Sequence, residues 1–237
     1  MRSRSARPRA IFFDAGNTLI RIDYAAIAAQ LATLGARVAA EDLQRSEWRA
    51  RVRLDDELFA GGRVSTESRT TLGRYLEHTL AGVGITDEPT LRAMANWRGR
   101  YNPPVGIFNT AEPAAAGALA AARAAGLVTG VISNSNGSIA GLMESLGFLP
   151  SLDVVLDSGV VGVEKPDPRI FRLALERARV EARDAVYVGD LYSIDVLGAR
   201  SVGMSAILID PGACWGARDC PAVPDVAAAV RLVLASE

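Results

Sequence analysis

The sequence of 237 residues predicts an α/β fold, in which a parallel β-sheet core is flanked by helices and accompanied by a small all-helical region. Two observations predict this fold. Short apolar runs that end in polar or turn-forming residues alternate with helical patterns, as is typical of parallel strands joined by crossover helices. From about residue 21 to residue 101, in contrast, the pattern is helical and contains no convincing strand.

The elements of the sheet region follow one another in a regular order. The first apolar run, 10–13, stops at Asp14 and is followed by a turn at Gly16 and Asn17. Later apolar runs predict strands at 127–132, 153–156, 185–188 and 206–209, and helical patterns predict helices at 113–125, 138–146, 168–179, 194–202 and 224–236. Such strands are buried on both faces, and their carboxyl ends share one edge of the sheet.

The helical region interrupts the sheet region after its first strand. Amphipathic patterns predict helices at 25–34, 41–59, 67–81 and 90–100. Positive and negative charges nearly balance there, so we interpret the arginine-rich helix faces as solvated surface. The segment Asn102-Pro103-Pro104 predicts a stiff return to the sheet. We therefore expect a core formed by residues 1–20 and 102–237 and a helical insert formed by residues 21–101.

The composition argues against several classes of partner. The chain has 26 Lys and Arg residues and 27 Asp and Glu residues, whereas proteins that bind nucleic acid or membrane surfaces usually carry a basic excess. We interpret the basic run of Arg2, Arg4, Arg7 and Arg9 as a flexible start. No apolar run approaches the roughly 18 residues of a membrane span. We expect a cytoplasmic protein with neither nucleic acid nor membrane as partner, and the sequence leaves the oligomeric state open.

Lys165 is the only lysine among the 26 basic residues. It lies in the segment Val-Glu-Lys-Pro-Asp-Pro at 163–168. An ammonium is a compact point charge that fits between two oxygen ligands, whereas a guanidinium is a flat fork with five donors. We therefore predict that Lys165 occupies a confined position near acidic groups.

Polar residues follow the predicted strands at the edge where open parallel sheets bind ligands. Carboxylates gathered there would repel one another, so we expect a divalent cation between Asp14 and Asp190, and oxygen-only ligands favour Mg²⁺. Asp14 could then attack a phosphorus centre. We expect the amide groups that begin the helix after the second core strand to bind phosphoryl oxygens. The complete predicted set is Asp14, Thr18, Ser133, Asn134, Lys165, Asp190 and Asp195, in which Thr18, Ser133 and Asn134 are the candidate substrate ligands.

Four motifs, in this order and spacing, carry a resemblance to a known family. They are Phe-Asp-Ala-Gly-Asn-Thr-Leu at 13–19, Val-Ile-Ser-Asn at 131–134, Gly-Val-Glu-Lys-Pro-Asp-Pro at 162–168, and Val-Gly-Asp at 188–190 with Asp195 five residues further on. Together they resemble the haloacid dehalogenase superfamily, in the branch with a helical cap inserted after the first strand. The resemblance covers roughly residues 9–212.

This resemblance implies a Rossmann-like core and a cap that selects the substrate. It implies Asp14 as the nucleophile, Ser133 as a phosphoryl ligand and Lys165 as the cationic partner of the phosphoryl group. The implied ligands around Mg²⁺ are Asp14, Asp190, Asp195 and the backbone carbonyl of Gly16.

Gly16 is also where the chain departs from the family. Phosphatases of the superfamily commonly carry a second aspartate two positions after the nucleophile, which protonates the leaving group and then activates water. A positioned general acid is worth ~10²–10⁴-fold in rate. Three explanations stay open: the leaving group needs little protonation, another group such as Asp23 or a cap side chain supplies the proton, or turnover is vestigial.

The leading hypothesis is a magnesium-dependent hydrolase, a phosphatase, of a small phosphorylated metabolite that works through a phosphoaspartate at Asp14. The first alternative is a 2-haloacid dehalogenase-type reaction without metal, which is compatible with Gly16 but less so with the Gly189-Asp190 pair. The second alternative is a catalytically weakened protein that binds a phosphoryl ligand. The helical insert contains no readable recognition motif, so the substrate stays open.

Overall fold

A computed structural model describes residues 8–61 and 64–235. Arg2, Arg4 and Arg7 of the basic run lie outside the described residues, as does residue 236 of the predicted closing helix. Arg9 is described, and its backbone N–H donates to the carbonyl of Asp184 over 2.7 Å, which ties the chain to the sheet just before the first strand.

The strands form two sheets. In chain order they are β1 Ala10–Phe13, β2 Ile20–Ile22, β3 Phe108–Ala111, β4 Val128–Ser133, β5 Val154–Asp157, β6 Ala185–Gly189, β7 Ser205–Ile209 and β8 Ala222–Val223. The main sheet is parallel and has the order β5-β4-β1-β6-β7-β8. The prediction of a parallel sheet is therefore confirmed.

The centre of the main sheet is β1, which lies between β4 and β6. Phe13, the last residue of β1, is in register with Val131 on one side and with Val188 on the other. The chain order reverses at β1, because β4 and β5 extend the sheet in one direction and β6 to β8 in the other. In sheets of this kind such a reversal creates a crevice beyond the carboxyl ends of the strands.

Helices cover both faces of the main sheet. In chain order the helices are α1 Tyr24–Thr33, α2 Ala40–Leu54, α3 Arg69–Ala81, α4 Glu88–Arg98, α5 Ala115–Ala124, α6 Ile139–Ser145, α7 Ser158–Val161, α8 Pro168–Ala178, α9 Leu197–Arg200 and α10 Val226–Leu234. Ile11 and Phe13 pack on one face with α5, α6 and α10, whereas Phe12 packs on the other with α8 and α9. Successive side chains of β1 thus alternate between two hydrophobic cores.

Helices α1 to α4, which we call the insert helices, pack around a third hydrophobic cluster. Its fully buried members include Ile27, Leu31, Leu43, Leu80 and Met94. Side-chain caps begin three of these helices, because the side chains of Asp23, Ser68 and Asp87 accept backbone N–H groups of α1, α3 and α4. No helix in the described part of the chain has both the length and the apolar character needed to cross a membrane.

Two sequence predictions were wrong in detail. The region 21–101 was expected to lack strands, but β2 enters it and pairs antiparallel with β3 at the base of the insert helices. These strands have three and four residues, too few for an alternating pattern to stand out. The predicted helix 194–202 is a π-helical turn at Tyr192–Val196 followed by the short α9.

Candidate active site

The carboxyl ends of β1, β4 and β6 open into a cavity of about 180 Å³, which we call the active-site cavity. On the side of the insert helices its wall combines apolar side chains, including Leu54, Phe59 and Leu72, with the charged side chains of Arg51 and Glu67. The opposite side is polar and charged. The predicted site residues that line it are Asp14, Gly16, Ser133, Asn134, Lys165, Asp190 and Asp195.

Lys165 lies in the middle of the charged side. Its Nζ atom donates to Oδ1 of Asp14 over 2.6 Å, to Oδ1 of Asp195 over 2.8 Å and to the hydroxyl of Tyr187 over 2.9 Å. Burial alone would lower the pKa of Lys165, but the charges of Asp14 and Asp195 outweigh it and hold the pKa above its usual value. The ammonium is therefore charged at neutral pH.

Asp14 directly follows β1, and its backbone N–H continues the ladder by donating to the carbonyl of Val188 over 2.8 Å. The side chain is almost fully buried. Burial raises the pKa of Asp14 to about 6, the Lys165 ammonium opposes this shift, and the charge of Asp195 adds to it. At neutral pH the carboxylate is available as a nucleophile.

Asp190 follows β6 and is 3% exposed. One carboxylate oxygen, Oδ2, accepts from Nδ2 of Asn17 over 3.0 Å and from Nη1 of Arg51 over 3.1 Å. Burial raises the pKa of Asp190 to about 8 against the opposing charge of Arg51, and Asp14 and Asp195 raise it further. Both of these hydrogen bonds fall on Oδ2, so Asn17 and Arg51 together fix one oxygen of the carboxylate.

Asp195 has a different environment, because both of its oxygens accept hydrogen bonds. Oδ2 accepts the backbone N–H groups of Asp190 and Leu191 over 3.1 and 3.0 Å, and Oδ1 accepts from Lys165. The side chain thereby fixes both the turn after β6 and the ammonium. Its direct contribution is to position these groups.

The acidic cluster fits a hard divalent cation. One carboxylate oxygen from each of Asp14, Asp190 and Asp195 lies within 4.8 Å of the others, and all three residues are buried. Oxygen ligands and an excess of negative charge suit Mg²⁺. Burial and mutual repulsion raise the pKa of Asp14 and of Asp190, and the charge of a bound divalent cation would lower both pKa values.

Ser133 and Asn134 both line the active-site cavity at the end of β4. Of the two side chains, that of Ser133 is the one available to bind a ligand. Its hydroxyl donates weakly to the carbonyl of Asn134 over 3.3 Å. The Asn134 amide instead accepts the backbone N–H of Lys165 over 2.7 Å and donates to the Lys165 carbonyl over 2.9 Å. Asn134 therefore holds the segment that carries the lysine.

The expectation that amides at the start of the helix after β4 bind phosphoryl oxygens was wrong for two of them. The N–H groups of Gly137 and Ile139 donate to the carboxylate of Asp157 over 3.0 and 3.1 Å. Asp157 ends β5, so this carboxylate already caps the start of α6. Sequence reasoning missed it because the two segments meet only in the folded chain.

Thr18 is placed apart from the other predicted residues. It does not line the active-site cavity but borders a second cavity with Arg21 and Tyr24. Its side chain is 1% exposed, and its hydroxyl has no hydrogen-bond partner among the described residues. The structure therefore does not support Thr18 as a substrate ligand, because the chain turns between Asp14 and Thr18.

Gly16 lies beside the carboxylate of Asp14. A Cβ atom at this position would be 3.9 Å from Oδ2 of Asp14 and 3.4 Å from Cε1 of Phe108. A larger side chain here would face the reacting carboxylate but would compete with the Phe108 ring for space. The role of the Gly16 carbonyl as a metal ligand stays a prediction.

Arg51 and Glu47 were missed by the sequence reasoning. Both lie on α2, where the arginine-rich face was interpreted as solvated, yet Arg51 is 3% and Glu47 is 0% exposed. Arg51 donates from Nε to Glu47 over 2.8 Å and from Nη1 to Asp190 over 3.1 Å. Glu47 also accepts from the hydroxyls of Tyr24 and Tyr75. The four-residue spacing of Glu47 and Arg51 was visible, but their burial was not.

The fold and the site together define an α/β protein with a buried carboxylate bonded to a buried lysine, and with an acidic cluster at the switch point of a parallel sheet. The sequence model of the haloacid dehalogenase-like hydrolases matches residues 8–203. The chain belongs to this family of hydrolases, as its motifs predicted.

The chain is also similar to individual proteins of known sequence or structure. A haloacid dehalogenase-like hydrolase domain-containing protein 3 from Mus musculus is 45% identical over 87 residues, and a phosphoserine phosphatase from Thermus thermophilus is 39% identical over 101 residues. The matches cover 37% and 42% of this chain but only 35% and 41% of these relatives. A 2-haloacid dehalogenase structure from Pseudomonas syringae pv. Tomato aligns with a TM-score of 0.53 at 27% identity, over 96% of this chain and 98% of that chain.

Proposed function

We propose that the protein is a magnesium-dependent phosphatase of a small phosphorylated metabolite and that it works through a phosphoaspartate at Asp14. The observation that carries this proposal is the contact of Asp14 with Lys165 over 2.6 Å, within reach of two further buried carboxylates. The similarity to a phosphoserine phosphatase supports the same reaction class.

Each residue has a distinct role in this proposal. The Asp14 carboxylate attacks phosphorus, and the Lys165 ammonium orients it and offsets the charge of the phosphoryl group. The Ser133 hydroxyl binds a phosphoryl oxygen. Mg²⁺ held by Asp14, Asp190 and the Gly16 carbonyl, with Asp195 beside it, would neutralise the acidic cluster and the incoming phosphate.

We further propose that residues 21–101 act as a cap over a core formed by residues 1–20 and 102–237. In support, α2 and α3 supply apolar side chains to the wall of the active-site cavity through Leu54 and Leu72. The antiparallel pair of β2 and β3 lies at the junction, so the boundary passes through this pair.

The test is hydrolysis of a generic phosphate ester with and without Mg²⁺. The Asp14→Asn variant is expected to lose turnover and to retain Mg²⁺-dependent binding of a phosphate mimic, because the amide cannot attack phosphorus. Chelation of the metal should abolish wild-type turnover. The exposed Asp42→Asn variant on α2 is the control and should match the wild type. Undiminished turnover in Asp14→Asn would refute the proposal.

Carbon–halogen hydrolysis is the second candidate. Two observations favour it: Gly16 stands where phosphatases commonly have an aspartate, and the solved 2-haloacid dehalogenase is similar over nearly the whole chain. The Asp190 carboxylate beside Asp14 favours the phosphatase reaction instead. Halide release from a 2-haloacid that persists after chelation would identify the dehalogenase, and phosphate release that disappears after chelation would identify the phosphatase.

A further inference from the structure

Position 16 leaves the proposed reaction without its usual proton donor, and the structure shows which other group faces the cavity. Asp23, one sequence candidate, is engaged elsewhere: its Oδ1 accepts the N–H of Ala26 over 2.9 Å and its Oδ2 accepts from the hydroxyl of Tyr101 over 2.8 Å. Asp23 also does not line the active-site cavity. Glu67 does line it, from the side of the insert helices.

Glu67 lies in a segment, residues 64–68, that is docked directly onto the core. The Thr66 hydroxyl accepts from Nδ2 of Asn134 over 3.0 Å, and the Ser65 hydroxyl donates to Glu164 over 3.0 Å. These partners flank Ser133 and Lys165 in sequence. Ser65 also accepts the backbone N–H of Glu67 over 3.1 Å. The segment therefore fixes the backbone of Glu67 beside the active-site cavity, which Glu67 lines.

Resting on the proposed phosphatase function, we propose that Glu67 is the general acid and general base of the reaction, in place of the aspartate that Gly16 replaces. In the first step an Asp14 oxygen forms a bond to phosphorus, the bond from phosphorus to the leaving oxygen breaks, and the Glu67 carboxyl gives its proton to that oxygen, which departs as an alcohol.

The second step restores the enzyme. The Glu67 carboxylate takes a proton from water, the water oxygen bonds to phosphorus, and the bond from phosphorus to Asp14 breaks. Inorganic phosphate leaves, Asp14 is again a carboxylate, and Glu67 is again protonated. The proton given to the alcohol thus comes from the water molecule of the previous cycle, so protons balance over each turnover.

The electrostatic surroundings suit both steps. Although Glu67 is an exposed residue, desolvation of its carboxyl beside the cavity raises its pKa to about 7, and the like charges of Glu164, Asp14 and Asp157 act in the same direction. Arg98 is the cation that opposes them. A group with a pKa near the working pH is present in both forms and can donate and accept protons in turn.

The first experiment compares phosphate esters of graded leaving-group acidity in the magnesium-loaded full chain. Glu67→Gln is expected to lower kcat/KM by about 10²–10⁴-fold for alkyl phosphates. The loss should be smaller for p-nitrophenyl phosphate, whose leaving group needs little protonation. Phosphorylated Asp14 should also accumulate in this variant, as seen by mass spectrometry, because water is no longer activated.

Glu77→Gln is the matched control, since Glu77 is an exposed carboxylate on the neighbouring α3. It should keep the wild-type dependence on the leaving group and accumulate no phosphoenzyme. If Glu67→Gln instead behaves like this control while the wild type turns over normally, the role of Glu67 is refuted and the phosphatase proposal stands. If the wild type itself shows no turnover that depends on Asp14, the phosphatase proposal fails, and the role of Glu67 fails with it.

The pH profile gives a second test in which Glu67 remains in place. Arg98→Met removes the opposing cation, so the basic limb of kcat/KM, where the acid loses its proton, should move to higher pH. Glu164→Gln removes a like charge and should move the same limb to lower pH. Shifts in these two opposite directions support the proposal, and an unchanged limb in both variants would overturn it.

Discussion

The ammonium of Lys165 donates to three oxygens, from Asp14, Asp195 and Tyr187, within a space that is almost closed to solvent. The three N–H groups of the ammonium point in tetrahedral directions, and each donates to one of these oxygens, so each N–H has an acceptor. The hydroxyl of Tyr187 in turn donates to the carbonyl of Ile132 over 3.0 Å, so it is also fixed. This arrangement explains physically why a lysine occurs here in a chain that otherwise uses arginine.

Replacing Lys165 with arginine is expected to lower kcat by about 10²-fold or more, because the electrostatic partner of the nucleophile is displaced. The larger planar fork should also destabilise the fold by about 1–3 kcal/mol through overpacking. Steady-state kinetics and urea denaturation measure the two effects. The exposed pair of Arg169 and Asp167 offers a control, Arg169→Lys, which should change neither quantity noticeably. Wild-type kinetics in Lys165→Arg would contradict the prediction.

Two π-helical turns, Asp55–Phe59 at the end of α2 and Tyr192–Val196 after β6, contact each other across the junction of insert and core. Asp55 accepts the backbone N–H of Ser193 over 3.0 Å and its hydroxyl over 2.7 Å. Burial raises the pKa of Asp55 from 3.8 to about 6, although the hydrogen bonds from Ser193 oppose the shift. We therefore expect the stability of this junction to depend on pH.

The sign of this response follows from proton linkage. In the window from 3.8 to about 6 the folded state keeps the proton on Asp55 while the unfolded state loses it. The free energy of unfolding should therefore fall as pH rises through this window, by on the order of 1–3 kcal/mol relative to Asp55→Asn, which cannot titrate. Urea midpoints of both proteins at the two ends of the window measure the difference. A difference that is constant with pH would contradict the prediction.

The insert helices and the core are joined by a buried ionic network rather than by apolar packing alone. Arg51 of α2 bridges Glu47 and Asp190, and each of the three side chains is at most 4% exposed. The same guanidinium thus contacts the polar interior of the insert and a proposed metal ligand of the core. Removal of one partner from such a network leaves the other charges buried without compensation.

Arg51→Met is therefore expected to destabilise the chain by about 3–5 kcal/mol. Arg53→Met, two residues further along α2, removes only an exposed pair with Glu57 and should cost about 0.3–0.5 kcal/mol. Urea denaturation in the presence of a chelator, so that no metal contributes, compares the two. Equal stabilities of the two variants would show that the network does not link insert and core.

Local sequence patterns were sufficient to predict most strands of the main sheet, most helices and most of the site residues. Short apolar runs ending in polar residues predicted where strands lie along the chain. Because parallel strands end at one edge, Asp14, Ser133, Lys165, Asp190 and Asp195 were predicted to meet, as they do. These conclusions depend on local periodicity and on the direction of each strand. Periodicity and strand direction can both be inferred from consecutive residues.

Only the tertiary structure decided which polar residues are buried and what they contact. Arg51 looked like a surface residue of an amphipathic helix, but its contact with Asp190 places it in the interior, and Thr18 looked like a site residue but borders a different cavity. Glu67 is exposed, and only the folded chain shows that it lines the active-site cavity. The short pair β2 and β3 also forms only through such contacts. The burial of each group depends on segments that are distant in sequence, and its charge and pKa depend on its burial. Local sequence patterns could therefore not predict these properties.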